Sequence, residues 1–291
     1  MSCSFPFSQN YNKRCRDRYY SDLKTRLTIS KVAKYLHHQM LIKVMDRYTI
    51  WHKKGSSSRG EITFLDVPSH TVEHNRKLWE NYDWSNSGEE WTLEAKTYRG
   101  LEPKAWKTSL IDGMMLKYIK KESIILEIGP GAGRWSEILQ ALASRLVLAD
   151  ISKKCLDICK KRFKNYEHIE YHSVERGLDF ISNSSIDYIW SYDVFVHINP
   201  TDIETYIIDF ERILKPGGHA IIHHSGQYSS EKDAREKGFR SYIDGNLFAY
   251  IVKKHQMEMI EQNHSLPHIP GDIISVFMKP GSKDNLLTSL K

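Results

Sequence analysis

The stretch that decides the fold is residues 126–135, which read LEIGPGAGRW. The apolar run at 124–128 is typical of a buried strand, and the three glycines after it indicate a tight turn. Glycine allows backbone dihedrals that other residues avoid, and it lets the backbone approach a ligand closely. A helix predicted over 134–143 follows at once, so its free N–H groups would face an anionic group such as a carboxylate.

Strand and helix patterns alternate downstream of this turn. They predict strands at 145–150, 168–172, 186–191 and 219–224, helices at 152–163 and 202–214, and a helix stop at the KPGG of residues 215–218. Such alternation is typical of a mostly parallel sheet with helices on both faces. Two late strands, at 257–262 and 272–278, predict a C-terminal β-hairpin. The sequence therefore predicts an α/β fold with seven strands.

Composition excludes several classes of protein. The chain has 291 residues, of which 40% are hydrophobic, so it can bury a sizeable core. No apolar run approaches the ~18 residues that a membrane helix needs, and the start lacks the apolar stretch of a signal peptide. We therefore expect no membrane span and a cytoplasmic location. Cys155 and Cys159 fit one buried helix face and have no zinc-like partner pair nearby.

The first 60 residues differ in charge from the rest. They contain 13 Lys and Arg against 3 Asp and Glu, whereas the whole chain has a net charge of +6. Helical spacing predicts an amphipathic helix at 29–51, and a Gly/Ser-rich linker follows at 53–60. We therefore divide the chain into a basic, partly helical N-terminal extension (1–60), a helical and aromatic lead-in (61–121) and the main domain (122–291). The extension is either a surface for anionic partners or a solvated appendage.

The spacing around the glycines argues against two common nucleotide sites. The third glycine comes one residue earlier than in the G-x-G-x-x-G pattern of NAD enzymes, and no Gly-Lys-Ser/Thr is present, which argues against a P-loop. An acid, Glu127, precedes the first glycine by two residues. A second acid, Asp150, ends the next strand, where a carboxylate can accept hydrogen bonds from both hydroxyls of a ribose. The alternative role for Asp150 is to cap the helix that begins near Ser152.

Four spaced parts together resemble class I S-adenosylmethionine (SAM) dependent methyltransferases over about residues 120–280. They are the glycine turn with Glu127, the acid Asp150, the strand IDYIWS at 186–191 and LKPGG at 214–218. The resemblance implies a Rossmann-like sheet that binds SAM and releases S-adenosylhomocysteine. NRKLWENYDW at 75–84, GEEW at 88–91 and IHHS at 222–225 also resemble, more weakly, a bacterial branch associated with glycan modification.

The resemblance also implies roles for individual residues in holding SAM. The glycine backbone would contact the methionine part, Glu127 would lie near its amino group, and Asp150 with the adjacent Ile151 would hold the ribose. The remaining expected cofactor contacts are the loop after the third strand, the end of the fourth strand and one covering tryptophan: Val174, Glu175, Ser191, Tyr192 and Trp91. Trp135 is a second candidate for the cover, and core packing is the alternative role of either tryptophan.

Methyl transfer from a sulfonium is an in-line displacement, so the protein mainly aligns the nucleophile and excludes water. A hydroxyl acceptor benefits from a base, and histidine suits that task. His197 ranks first because it lies just beyond the fourth strand, followed by His224 and His223 at the end of the fifth. At most one of the last two enters the site, since adjacent side chains of a strand point to opposite faces. Asp193 would orient such a histidine or touch the acceptor.

The predicted function is therefore O-methylation of a small molecule or sugar, the acceptor being the main partner. Methylation of nitrogen, RNA or protein is an alternative, with the basic N-terminus as the gripping surface, although no Asn-Pro-Pro-Tyr-like motif follows the fourth strand. An NAD-dependent oxidoreductase and a non-catalytic partner that keeps the fold are alternatives of other classes. A polar stretch, 225–244, is placed like an acceptor lid, and its Arg235, Lys237 and Arg240 would suit an anionic substrate. No metal site is expected, and the N-terminal helix could pair subunits in a homo-oligomer.

Overall fold

The computed structural model of the chain describes residues 70–175, 177–227 and 240–281. These residues fall within one compact unit, Val67–Lys291. The predicted helix at 29–51, the linker at 53–60 and the whole basic extension lie outside the described residues. So do Arg235 and Lys237 of the polar stretch, whereas Arg240 is described.

A seven-stranded sheet forms the centre of the molecule, in the order β3-β2-β1-β4-β5-β7-β6. Strands β1 to β5 pair in parallel, and β7 pairs antiparallel with both β5 and β6. The predicted α/β fold with a mostly parallel seven-stranded sheet is confirmed, and the two late strands pair as expected. The strands are β1 Ser123–Ile128, β2 Ala143–Asp150, β3 Ile169–Ser173, β4 Ile186–Ser191, β5 Leu214–His224, β6 Glu258–Asn263 and β7 Ile273–Met278.

Helices lie before the sheet and between its strands. The lead-in contains α1 Val72–Asn81, α2 Glu94–Arg99 and α3 Pro103–Leu110, and α3 continues through a π-helical turn, Ile111–Met115, into a last turn, Leu116–Tyr118. The main domain adds α4 Ser136–Leu139, α5 Lys153–Arg162, α6 Pro200–Ile213 and α7 Gly245–Lys254, with a 3₁₀ turn at Phe195–His197. Each of these described helices is too short or too polar to cross a bilayer.

Two elements differ from the prediction by more than two residues. The helix expected at 134–143 is only the single turn of α4, because β2 begins already at Ala143 and takes up the end of that segment. The KPGG segment does follow a helix, α6, but it belongs to β5. Leu214 pairs with Ile186 and His219 pairs with Tyr188, so the extra residues between them form a local irregularity in the strand.

Apolar side chains cover both faces of the sheet. One face, with Leu126, Ile189 and Ile222, packs against α6 and α7, and the opposite face, with Ile125, Trp190 and Ile221, packs against α3, α4 and α5. Residues alternate between these faces along each strand. This parity places Glu127, Asp150, Tyr192 and His223 on the α3–α5 side, and it places His224 on the α6–α7 side.

The lead-in is tied to the loop between β6 and β7. Trp106 donates its indole N–H to the carbonyl of Leu266 at 2.8 Å, and Arg99 donates to the carbonyls of Ser265 and His264. Trp106 is 2% exposed, so its ring contributes to the core as well. These contacts hold the lead-in beside the carboxyl ends of the central strands.

Removal of the N-cap of α6 should weaken the fold by about 1 kcal/mol. Asn199 accepts the N–H of Asp202 at 2.9 Å through its side-chain oxygen, which satisfies one of the free donors of the first turn. We expect Asn199→Ala to lower the free energy of unfolding in urea titrations, whereas Asn199→Ser keeps an acceptor and should retain most of the stability. Equal stabilities of the two variants would contradict a capping role.

Candidate active site

The turn after β1 adopts a left-handed backbone that only glycine takes up readily. Gly129, Gly131 and Gly133 have φ values of +71°, +56° and +89°. A Cβ atom on Gly129 would lie 2.2 Å from a methyl group of Val194, and one on Gly131 would lie 2.9 Å from the ring of Trp84. Side chains are therefore excluded from this turn by both conformation and space.

Asp150 lies beside this turn at the carboxyl end of β2. Its Oδ2 accepts the N–H of Gly131 at 3.2 Å, and its Oδ1 accepts the N–H of Ser152 at 2.8 Å. Ser152 itself caps α5 by accepting the N–H of Cys155, so capping that helix is not the duty of Asp150. Burial raises the pKa of Asp150 to about 7.

Glu127 lies behind the glycine turn. The carboxyl group is 1% exposed and accepts the Ser136 hydroxyl proton at 2.5 Å. Burial raises the pKa of Glu127 to about 8, so the group is largely uncharged at neutral pH. A neutral carboxyl group binds an ammonium ion only weakly. This charge state therefore does not favour the expected position of Glu127 near an amino group.

The loop after β3 carries the residues expected near an adenine, and it lies beside Asp150. Val174 donates its N–H to the carbonyl of Asp150 at 2.9 Å, and its side chain is buried in the core. Glu175 is exposed and forms an ion pair with Arg76 of α1. Ile151 is partly exposed between Asp150 and Ser152. These residues therefore lie at the carboxyl ends of β2 and β3, and their role beside an adenine stays a prediction.

A cluster of aromatic rings from the lead-in covers the glycine turn. Its members are Trp79, Tyr82, Trp84 and Trp91, whose ring centroids lie 5.1–6.1 Å apart. Trp84 is the ring that contacts Gly131, and Trp91 packs behind it. We call this group the aromatic cover. Trp135 lies elsewhere, buried against Trp106, Trp190 and Tyr192.

A second group of side chains, which we call the ionic cluster, lies at the carboxyl ends of β4 and β5 and at the start of β7. Arg134 Nη2 lies 3.0 Å from Asp193 Oδ2, and Arg240 donates to Asp272 Oδ2 from Nε and Nη2 at 3.0 and 2.9 Å. Asp272 is fully buried. Two guanidinium groups thus neutralise two carboxylates, and two histidines complete the cluster, whose members are Arg134, Asp193, His223, Arg240, His268 and Asp272.

His223 is held between the two carboxylates of the ionic cluster. Its Nδ1 lies 3.1 Å from the backbone N of Asp193 and 3.3 Å from Asp193 Oδ1, and its Nε2 lies 3.4 Å from Asp272 Oδ2. The ring stacks on Tyr192 at 4.1 Å. Burial disfavours the charged form, but the two carboxylates outweigh it and raise the pKa of His223. This imidazole is therefore the more basic of the two at the end of β5.

His224 and His197 have different surroundings. His224 occupies the opposite face of the sheet, where both ring nitrogens are engaged by the Ser225 carbonyl and the Ser275 hydroxyl and the ring stacks on Phe248. His197 lies beside the aromatic cover, 5.2 Å from Trp79. Burial, together with the charge of Arg240, lowers the pKa of His197 to about 3, and burial lowers that of His224 to about 3. Of the two β5 histidines, His223 faces the ionic cluster and His224 does not, which agrees with the alternation of side chains along a strand.

Ser191 and Tyr192 connect the glycine turn with the ionic cluster. Ser191 donates its hydroxyl to the carbonyl of Ile128 at 2.9 Å, which joins the ends of β4 and β1. The Tyr192 hydroxyl lies 3.0 Å from Nδ1 of His268. Asp193 then turns away with a φ of +63°, an uncommon value for a residue other than glycine. This strained backbone aims the Asp193 carboxylate at Arg134 and His223.

Sequence reasoning missed three members of the ionic cluster. Arg134 was considered only as a helix start, and Asp272 and His268 only as parts of the late hairpin. The position of Asp272 could have been predicted from the sequence. An antiparallel β7 beside β5 must begin next to the end of β5. Observed pairing of Ile273 with His224 meets that condition.

The sequence pattern of a methyltransferase domain family matches residues 126–222, which include the glycine turn, Asp150 and β4. Over these residues the chain is similar to that methyltransferase family. The match favours the methyltransferase hypothesis over the NAD-dependent one, because the matched segment contains the glycine turn and Asp150.

Two curated relatives have names that agree with this methyltransferase domain. Phosphoethanolamine N-methyltransferase 1 of Triticum aestivum is 22% identical over 218 residues, which is 73% of this chain and 43% of that protein. Demethylmenaquinone methyltransferase of Tropheryma whipplei is 29% identical over 98 residues, 34% of this chain and 40% of that protein. The chain thus spans about two fifths of the length of the curated relatives that it matches.

Solved structures share the fold of the methyltransferase domain. A protein of Pyrococcus horikoshii superposes with a TM-score of 0.51 at 18% identity, covering 61% of this chain and 92% of that one. A structure from Haloferax volcanii, of a complex between the Trm112 methyltransferase activator and a methyltransferase, also has a TM-score of 0.51, at 14% identity over 66% of this chain and 97% of that one. At these identities the likeness concerns the fold alone.

The residues of the methyltransferase domain fit an adenosyl donor. The glycine turn has no side chains, since a Cβ atom there would clash with Val194 or Trp84, and its bare backbone can approach a ligand closely. Asp150 supplies the acid that a ribose diol requires, at the strand end next to that turn. Within residues 70–175, 177–227 and 240–281, no three His, Cys, Asp or Glu side chains are arranged to hold a metal ion.

Replacement of Glu127 by Gln should change how stability depends on pH. A carboxyl group whose pKa is raised by folding stabilises the fold below its unfolded pKa of about 4, and that stability is lost as the pH rises through about 8. Each such group contributes a slope of at most about 1.4 kcal/mol per pH unit. We expect Glu127→Gln to gain stability relative to the wild type as the pH rises from about 4 to about 8, with no further gain above that, measured by urea unfolding. Parallel pH profiles of the two proteins would contradict the buried, protonated state.

Proposed function

We propose that the protein is a SAM-dependent methyltransferase that methylates an oxygen of a small molecule or sugar. The observation that carries this proposal is the glycine turn with Asp150 beside it and the ionic cluster at the neighbouring strand ends. In parallel α/β sheets, ligands bind at the carboxyl ends of the strands. Donor and acceptor sites at these ends would bring the two substrates together.

The donor would lie across the turn, with its ribose on Asp150. SAM supplies an electrophilic methyl group on a sulfonium, so the protein has only to hold the donor, align the acceptor and exclude water. The aromatic cover would close over the donor, because Trp84 already contacts Gly131. Aromatic faces also favour a nearby sulfonium, by ~0.5–2 kcal/mol.

The acceptor would lie over the ionic cluster, and His223 would accept its proton. Among the three histidines considered as bases, His223 has the raised pKa and the two orienting carboxylates. His197, although first by sequence position, has a pKa of about 3, which suits a wall of the site better than a base. Arg240, once a candidate for binding an anionic substrate, is neutralised by Asp272. An uncharged hydroxyl acceptor fits these groups.

Transfer to nitrogen is the second candidate, and the relative named phosphoethanolamine N-methyltransferase 1 supports it, since its match spans 73% of this chain. An amine must lose its proton before transfer, so the same His223 could serve.

A turnover assay with SAM against pooled sugars, nucleotides, alcohols and amines tests the proposed function. Products are followed by mass spectrometry, which detects the added methyl group, and S-adenosylhomocysteine is measured in parallel. A hydroxylated acceptor supports O-methylation, and an amine supports the second candidate. If calorimetry detects no binding of SAM or S-adenosylhomocysteine, the proposed function is wrong.

The identity of the base gives a sharper prediction. General-base catalysis is worth ~10²–10⁴-fold, so we expect His223→Asn to lower kcat by about that factor. His197→Ala should lower it less than about tenfold, because a base with so low a pKa takes up little proton. In the wild type, kcat should rise with pH through the raised pKa of His223, since the unprotonated imidazole is the active form. A larger loss from His197→Ala than from His223→Asn would assign the base to His197 instead.

A further inference from the structure

One imidazole, that of His268, faces two carboxylates at once. It lies in the loop between β6 and β7 and is 1% exposed. Its Nε2 lies 3.1 Å from Glu94 Oε2 and 3.6 Å from Asp193 Oδ1. Glu94 belongs to α2 of the lead-in, whereas Asp193 follows β4 and faces the proposed base, His223. A residue of the lead-in thus reaches the ionic cluster through this ring.

The contacts of Tyr192 place the ring proton of His268 on Nε2. The backbone N–H of His268 donates to the Tyr192 hydroxyl oxygen at 3.3 Å, and Nδ1 of the ring lies 3.0 Å from the same oxygen. Tyr192 is 3% exposed, so its own proton needs an acceptor, and Nδ1 supplies one. A neutral ring that accepts at Nδ1 carries its proton on Nε2, where the two carboxylates lie.

Glu94 and Asp193 therefore compete for one N–H group. Burial opposes ionisation of Asp193, but His268, His223 and Arg134 outweigh it and hold its pKa well below the usual range. Glu94 is nevertheless the nearer of the two carboxylates to Nε2. Because a hydrogen bond weakens with distance, Glu94 takes the larger share of this proton and leaves Asp193 Oδ1 to another partner.

That partner is His223. Its Nδ1 accepts the backbone N–H of Asp193 at 3.1 Å and lies 3.3 Å from Oδ1 of the same residue. A neutral His223 therefore carries its proton on Nε2, which faces Asp272, and a proton taken from the hydroxyl of the methyl acceptor would lie on Nδ1. From Nδ1 it would donate to Asp193 Oδ1, as long as His268 does not occupy that oxygen.

We propose that Glu94 is a positioning residue that holds the Nε2 proton of His268 away from Asp193 and so keeps Asp193 Oδ1 on His223. The inference rests on the proposed function, in which His223 is the base, and it adds a lead-in residue to the control of that base. In the described part of the chain, the titratable and charged groups that face the two imidazoles or their aspartates are Glu94 of α2, Tyr192 and Asp193 after β4, Asp272 before β7, Arg134 and Arg240.

Nitrogen NMR of the histidine rings tests this arrangement without a donor or an acceptor. In protein labelled with nitrogen-15 histidine, each ring nitrogen reports whether it carries a proton, and single histidine substitutions assign the signals. We expect a proton on His268 Nε2. Glu94→Gln should lower the titration midpoint of His223 by at least about half a pH unit, an approximately threefold loss of proton affinity, because the Nε2 proton then turns to Asp193.

His268→Asn distinguishes an effect through this ring from a general effect of charge. Asn keeps an acceptor near the position of Nδ1 for the Tyr192 hydroxyl but has no atom in the place of Nε2. With that N–H gone, Asp193 Oδ1 is left to His223, so the midpoint of His223 should rise. In this background, Glu94→Gln should shift the midpoint by less than about 0.2 pH unit.

Glu102→Gln is the matched control. Glu102 also belongs to the lead-in, but it is exposed and pairs with Lys96 at 2.9 Å, so its replacement should leave the midpoint of His223 unchanged. Thermal melting reports whether each variant folds. If Glu94→Gln does not, Glu94→Asp keeps the charge but shortens the side chain, and it should still lower the midpoint because Asp does not reach Nε2.

Turnover gives a second measurement once the mass-spectrometric assay has identified an acceptor. The midpoint of kcat against pH should move with that of His223 in each variant, whereas KM for SAM should stay within about twofold of the wild-type value.

The possible results separate this inference from the proposed function. An unprotonated Nε2 on His268, or an unchanged midpoint of His223 in Glu94→Gln, overturns the inference. Equal shifts from Glu94→Gln with and without His268 would assign the effect to charge alone and overturn it as well. Failure of the wild type to bind S-adenosylhomocysteine overturns the proposed function, whereas the histidine spectra need no ligand and decide the inference separately.

Discussion

The arrangement of the site depends on the close approach of β1, β2 and β4 at the glycine turn. Gly129 donates its N–H to the carbonyl of Ala149 at 2.8 Å while Val194 fills the space where a side chain would be. This contact fixes the distance between the end of β2, which carries Asp150, and the segment after β4, which carries Asp193. A larger residue at position 129 would separate those two segments, and with them Asp150 from Asp193.

The sequence was sufficient to predict most of the sheet because its strands are buried and separated by helices of ordinary length. Strand β4 was predicted with its observed bounds, Ile186–Ser191. The short helix α4 was overestimated, since the apolar periodicity of 136–142 continues into a strand and a single helical turn leaves no stop signal of its own. The irregularity within β5 was missed because Pro216 and the two glycines after it suggested a loop, whereas the pairing with β4 resumes on both sides of them.

The part of the candidate site that consists of short sequence motifs could be predicted. The glycines, Asp150 and the residues after β4 follow one another in a spacing that can be read along the chain. The ionic cluster cannot be read in this way, because Arg134, Asp193 and Asp272 are brought together by strand order and not by sequence proximity. Nor could the chain order of the histidines rank them. Their ranking depends on the carboxylates that face each ring, and these are known only once β5 and β7 are paired.

The two neighbouring imidazoles at the end of β5 show that the register of this strand is strictly constrained. His223 and His224 differ by one position, yet one faces carboxylates and the other packs on Phe248 in an apolar layer. Insertion or loss of one residue between Ala220 and His223 would exchange their faces, and the ring that now faces Asp193 and Asp272 would then enter the hydrophobic side. A length change at 215–218 can be absorbed by the irregularity there without reaching the histidines. The early part of β5 can therefore vary in length, whereas the number of residues in its last four positions must stay constant.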